Sequence, residues 1–221
     1  QMDREYMSAM QQYNRLLLQR NKMLKDPVVD RALLEVIDMR MSALAQPIYE
    51  ARKRFVEELK PIVAEYYKAL SGGSEQVDIE YDSDLSRADL DQLLAASFEK
   101  DRIMKHTTVG IHRDDFIFTM NGHPIRRYGS QGQQKSFLIA LKLAQYRLIA
   151  DVTGERPILL LDDLFDKLDM RRVAKLLEVV SSQEFGQICI TDCNKHRLES
   201  ILQSAGKQYR LFSVEGGDVK L

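Results

Sequence analysis

Two adjacent carboxylates, Asp162 and Asp163, follow the apolar run 158–161. Such a run reads as a buried strand, and in an open α/β sheet ligands bind beyond the strands' C-terminal ends. A carboxylate there can hold Mg²⁺, usually through water, while the metal bridges the phosphates of a nucleotide. A second carboxylate beside it can orient an attacking water. Four apolar residues and two acids also fit a strand that merely ends in a polar turn. The continuation through Phe165 and Leu168 to Asp169, a D-x-L-D ending, favours the nucleotide reading.

A second stretch, YGSQGQQKS at 128–136, immediately precedes a helical pattern. Ser130 is placed as an N-cap, with Gln133 three residues on to complete a capping box. The same geometry makes an anion site. A helix start offers unpaired N–H groups and the positive end of its dipole. Gly132 lets the backbone approach an anion, and the Ser130 hydroxyl adds a donor. One helix separates this stretch from the Asp162 strand, the spacing at which an ABC-type signature motif precedes a Walker B strand. A third stretch, VGIHRDDF at 109–116, crowds His112, Arg113, Asp114 and Asp115 before a hairpin. By itself it reads as a solvated turn with an Arg–Asp pair.

The elements that must position these groups follow from periodicity. Residues 3–25 carry apolar positions at helical spacing until Asp26-Pro27 breaks the pattern. A second helix is expected from about Val28 to Leu70, kinked or divided at Pro47 and Pro61. Its expected stripe includes Leu33, Val36, Ile37, Ile48, Phe55, Leu59, Val63 and Tyr66. The alternation in VDIEYDSD predicts a half-buried strand, and Ser86 is expected to cap a helix running to about Lys105, with Ile103 on its buried side. Asn121-Gly122 between FIFTM and IRRY predicts a hairpin with a type I′ turn. A helix from Ser130 to about Asp151, strand 157–161, helix 169–180, strand 187–191, a polar helix over 195–204 and a terminal hairpin complete an α/β layer. The expected division is a helical arm over 1–105, with strand 76–82 able to join the head, and a lobe over 106–221. The few strands suggest half of a domain. The chain also opens inside a helical pattern, as a portion of a longer polypeptide would.

Bulk properties exclude more than they assign. The 221 residues carry 32 Lys and Arg against 33 Asp and Glu, so a nucleic-acid role must rest on local patches. Cys189 and Cys193 form no CxxC pair, and His106, His112, His123 and His196 are scattered, which predicts neither a zinc site nor a disulfide framework. A reduced, cytoplasmic setting is the expectation. No apolar run approaches the roughly 20 residues that span a bilayer. No GxxxxGK[ST] phosphate cradle occurs, so the chain alone is not expected to bind or hydrolyse ATP productively.

Three motifs in this order, GIHRDD (110–115), SQGQQK (130–135) and ILLLDDLFDKLD (158–169), resemble the C-terminal half of the RecF family of ABC/SMC-type DNA-repair ATPases. The opening EYMSAMQQYNRLLLQRN resembles that family's arm helix. Asp163 stands where most ABC and SMC ATPases have Glu and RecF-like proteins have Asp. The resemblance implies half of an ABC-type (P-loop NTPase) head with a short helical arm. It implies a homodimer closed over ATP, which clamps duplex DNA near single-strand gaps and helps load RecA, with RecO and RecR, in gap repair and the SOS response. By position, Ser130, Gly132 and Gln133 would contact a γ-phosphate across the dimer. Asp162 would serve Mg²⁺, Asp163 would orient water, and Asp169 would be the D-loop residue at the seam. Asp192 stands at the position of a switch histidine, and His196 reads as a surface residue. Arg126 and Arg127, beside the hairpin, are the DNA-contact candidates, whereas Arg52, Lys53 and Arg54 read as a solvated arm face. The alternatives are another SMC- or ABC-like head and a non-catalytic partner-binding module.

Overall fold

The computed structural model describes residues 4–73, 75–162, 168–191, 199 and 209–220. Asp163, the segment 164–167, Asp192, Cys193, His196 and nearly all of the helix expected over 195–204 lie outside the described residues. The chain divides into two compact units. One comprises residues 1–60 and 79–118, the other 61–78 and 119–221.

The first helix, α1 (Arg4–Met23), buries Tyr13, Leu16 and Arg20. Arg20 is fully buried, and its guanidinium is satisfied by Asp38 at 2.7 Å, Asp101 at 2.6 Å and Thr107 Oγ1 at 3.0 Å. A charge so enclosed persists only when it is paired and hydrogen-bonded. Helix α2 (Arg31–Ser71) runs 41 residues without division. The expected division at Pro47 and Pro61 does not occur. Each proline removes one N–H and crowds the carbonyl four residues back. That local cost is outweighed by burial of neighbouring side chains, Ile48 and Tyr49 beside Pro47, Val63, Tyr66 and Tyr67 beyond Pro61. The buried stripe also differs from expectation. Leu34, Ile37, Met41 and Ala45 face the core, while Leu33, Val36 and Phe55 are exposed. Where two apolar residues adjoin, spacing alone does not say which one turns inward.

After strand β1 (Val77–Asp82), Ser83 caps a 3₁₀ turn at Asp84–Ser86. Helix α3 (Leu90–Met104) starts three residues later than expected, with Asp89 rather than Ser86 at its N-cap, because the Ser86 hydroxyl bonds back to the Ser83 carbonyl at 2.7 Å. Leu90, Leu94 and Phe98 are buried, but Ile103 is exposed. The core of the first unit joins Tyr13, Leu16, Met41, Ile48, Leu90, Leu94 and Ile111.

Strands β2 (Asp115–Met120) and β3 (His123–Pro124) pair antiparallel, Thr119 opposite Pro124 and Met120 opposite His123. Asn121 and Gly122 both take positive φ, 48° and 78°, as a type I′ turn requires. The second arm of that hairpin stops at Pro124. IRRY is the short helix α4 (Ile125–Tyr128), not a strand.

In the second unit, α5 (Gln131–Thr153) buries Phe137, Ala140, Leu143 and Tyr146. Strands β4 (Leu159–Leu161) and β5 (Ile188–Ile190) pair parallel, with Leu160 opposite Cys189, and α6 (Met170–Val180) lies between them in sequence. The apolar run before Asp162 alternates rather than being buried throughout: Leu159 and Leu161 are buried, Ile158 and Leu160 exposed. Strands β6 (Ser213–Glu215) and β7 (Asp218–Lys220) form the terminal hairpin.

Candidate functional site

The candidate chemistry of the second unit gathers at two element ends. At the start of α5, Ser130 is extended (φ −63°, ψ 162°) and closes the capping box foreseen from its spacing. Its Oγ accepts from the Gln133 N–H at 3.3 Å, and its own N–H donates to Gln133 Oε1 at 2.7 Å. The Gln131 and Gly132 amides remain uncapped among the described residues, as the first turn of a helix leaves them. Ser130 is exposed. Its oxygen serves as acceptor in the cap, so its O–H is free to turn outward.

The far end of Gln133 is also engaged. Its Nε2 donates to Glu75 Oε1 at 2.7 Å, and Glu75 Oε2 accepts from the buried Tyr67 hydroxyl at 2.5 Å. Both ends of the Gln133 amide are thus committed inside the unit, so this residue shapes the helix start more directly than it offers itself to a ligand. Burial alone would raise the Glu75 carboxyl. The Tyr67 and Gln133 hydrogen bonds, with the Arg172 charge behind them, outweigh burial and hold it below the usual carboxylate range.

A second chain of contacts reaches the same turn from α6. Asp169 caps α6, its Oδ1 accepting from the Arg172 N–H at 2.8 Å. The Arg172 guanidinium lies 3.5 Å from Asp169 Oδ2 and donates to Ser136 Oγ at 2.9 Å. The Ser136 hydroxyl donates to the Gly132 carbonyl at 2.8 Å. Neither Glu75 nor Arg172 was among the residues singled out from sequence. Glu75 has no local signal, whereas Arg172 stands at the third position after an N-cap.

At the end of β4, Asp162 is exposed, and its Oδ1 accepts a hydrogen bond from the Thr191 hydroxyl at the end of β5. The parallel pairing of Leu161 with Ile190 brings these two strand ends level. Thr191 is a further residue that sequence reasoning passed over. Among the described residues no three metal-ligating side chains cluster. A single carboxylate whose second oxygen has no partner among the described residues suits a cation that takes its other ligands from phosphate and water.

Two readings of the surface need correction. Arg52 is not part of a solvated face. It donates to Tyr6 Oη at 3.0 Å, the Ile111 carbonyl at 2.7 Å and Asp114 Oδ2 at 2.7 Å. Nor is 109–116 a solvated turn. The Asp114 side chain is 3% exposed and also accepts from the Tyr81 hydroxyl, while His112 bonds Tyr13 and the Thr107 carbonyl, each at 3.2 Å. The stretch fastens helices of the first unit together. Arg126 and Arg127 are exposed on α4, with the Arg127 guanidinium 5.5 Å from the Tyr128 ring centre.

A helical arm joined to an α/β lobe, with an acid at a parallel strand end and a serine-capped helix, is the architecture of the ABC-type ATPase head. Over its whole length the chain is similar to the RecF proteins of that class. It is 47% identical over 220 residues to the DNA replication and repair protein RecF of Parabacteroides distasonis, covering all of this chain and 60% of that protein. It is 42% identical over 218 residues to the protein of the same name from Flavobacterium johnsoniae, covering 97% of this chain and 61% of the relative. A solved structure of the recombination mediator protein RecF-ATP in the RecFOR pathway superposes with a TM-score of 0.75 at 30% identity, over 88% of this chain and 54% of that one. The chain therefore spans about three fifths of the length of the curated relatives it matches. No protein-family model matches it. No helix among the described residues is long and apolar enough to cross a membrane.

Proposed function

We propose that the chain is the C-terminal portion of a RecF-like ATPase whose homodimer closes over ATP and clamps duplex DNA at single-strand gaps. The arm helices fall within 1–105 and the nucleotide-facing motifs within 106–221. The single observation that carries the reading is the start of α5. There an exposed Ser130 and the uncapped Gln131 and Gly132 amides present outward donors at a helix N-terminus. In the closed dimer this turn receives the γ-phosphate of ATP held by the other subunit. Asp162 serves Mg²⁺, held level by Thr191, and Mg²⁺ when bound offsets charge developing on the phosphates. Asp163 orients the attacking water, and Asp169 lies at the dimer seam. With aspartate one methylene shorter than the usual glutamate, hydrolysis is slow and ATP acts mainly as a dimer switch. Arg126 and Arg127 contact DNA phosphates. RecO, RecR and RecA are the partners, in gap repair and the SOS response, and the setting is the cytoplasm.

The test separates capping from anion binding. In the full-length polypeptide, Ser130→Asp keeps an N-cap acceptor but sets a negative charge against the phosphate. It is expected to melt like the parent and to lose ATP-dependent dimerisation, as Ser130→Arg should also. Dimerisation of Ser130→Asp at the parental ATP concentration would remove this turn from the nucleotide site. Fast turnover by the intact dimer would overturn the switch reading.

A further inference from the structure

The start of α5 is held from two sides by groups that lie outside the turn itself. On one side, Glu75 Oε1 takes the Gln133 Nε2 proton at 2.7 Å. That fixes which way the amide faces, because a carboxylate accepts only from the NH₂ end. The Gln133 carbonyl oxygen must then point back to the Ser130 N–H, where it lies at 2.7 Å. Glu75 is itself held by the Tyr67 hydroxyl at 2.5 Å, and Tyr67 is fully buried on α2. On the other side, Arg172 donates to Ser136, and Ser136 donates to the Gly132 carbonyl. Arg172 also lies 3.5 Å from Asp169.

We infer that Glu75 and Arg172 are positioning residues of the phosphate-receiving turn, and that Arg172 ties that turn to Asp169 within one protomer. The inference rests on the reading of Ser130 proposed above and adds to it the parts that hold the turn ready. Donors fixed before the ligand arrives cost no reorganisation when it binds. Arg172 has a second effect. Glu75 brings a negative charge to a turn meant for an anion, and the Arg172 guanidinium offsets it. A displacement of Asp169 at a dimer seam would pull on Arg172, hence on Ser136 and the Gly132 carbonyl. Two elements that meet the second subunit thereby move as one.

The experiment uses the full-length polypeptide with Glu75→Ala, Glu75→Asp, Arg172→Ala and Arg172→Lys, and Ser130→Asp as the control for the underlying reading. Dimerisation is followed by light scattering across an ATP series, and nucleotide affinity is measured separately at a dilution where only monomer exists. Loss of one charge-assisted hydrogen bond should raise the ATP concentration for half-maximal dimerisation by about tenfold in each alanine variant. Glu75→Asp and Arg172→Lys should recover part of the shift, and monomer affinity should stay unchanged. Hydrogen exchange supplies a readout independent of dimerisation. The amides of Gln133 and Gln134, which donate to the Ser130 Oγ and carbonyl, should exchange faster in both alanine variants, while those of the β2–β3 hairpin keep the parental rate. If Ser130→Asp abolishes dimerisation while the alanine variants match the parent, or if exchange at Gln133 and Gln134 is unchanged, the positioning role is overturned and the reading of Ser130 stands. If Ser130→Asp dimerises normally, both fall.

Discussion

Arg52 and Asp114, 62 residues apart in the chain, meet at 2.7 Å in the first unit, with the Asp114 side chain 3% exposed and the Arg52 side chain 19% exposed. The same guanidinium holds Tyr6 and the Ile111 carbonyl, so one side chain of α2 secures both α1 and the 109–116 stretch. Burial alone would lower the Arg52 guanidinium, but the hydrogen bonds it donates to its neighbours outweigh that and raise it, so it stays charged throughout. Removing one partner strands the other charge. Arg52→Met should cost about 3 kcal/mol, read as a lower urea midpoint, because a buried carboxylate is left without its cation. A midpoint within error of the parent would show the pair to be without consequence for stability.

Gly110 and Gly122 make a paired prediction. Both have positive φ, 113° and 78°. A Cβ on Gly110 would lie 2.8 Å from the Tyr13 hydroxyl and 2.9 Å from Leu90 Cδ1, whereas one on Gly122 would meet nothing within 4 Å. Gly122→Ala should cost roughly 1 kcal/mol for its backbone alone. Gly110→Ala must also displace core atoms and should cost about 3 kcal/mol or more. Equal melting temperatures for the two variants would contradict the packing around Gly110.

His112 sets a pH dependence. Burial lowers its pKa below the ordinary 6.5. Its Nε2–H donates to the Thr107 carbonyl, so Nδ1 accepts from the Tyr13 hydroxyl, and a proton on Nδ1 would remove that acceptor and place a charge in a largely buried site. The sign follows from linkage. With a depressed folded value, the unfolded chain takes up the proton first. The contribution is complete above 6.5 and is lost as pH falls through the folded value. His112→Gln should remove that part of the pH profile and leave the rest. Stability curves of parent and variant that stay parallel between pH 7 and 5 would argue against a neutral buried imidazole.

Arg126 and Arg127 can be tested through salt. If they neutralise phosphates, replacing both with Glu in the full-length protein should weaken duplex binding and reduce the slope of log affinity against log salt by about 2. An unchanged slope across the series would remove α4 from the DNA interface.

Much of the candidate site was legible because its determinants are local. The Ser130–Gln133 capping box and the Asn121-Gly122 turn each depend on contacts within four residues, and each stands where spacing placed it. The order of strand, helix and strand around Asp162 was legible for the same reason. What holds these pieces was not. Glu75 meets Gln133 across 58 positions, Arg172 meets Ser136 across 36, and Arg52 meets Asp114 across 62. Nor did local rules fix the course of α2, which passes through Pro47 and Pro61, or the turn of 125–128 into α4 instead of a strand. Backbone preferences and neighbour hydrogen bonds are written in short windows of sequence. The partner of a buried charge, and whether burial outweighs a proline, are settled only when distant segments pack and exclude water from the same volume.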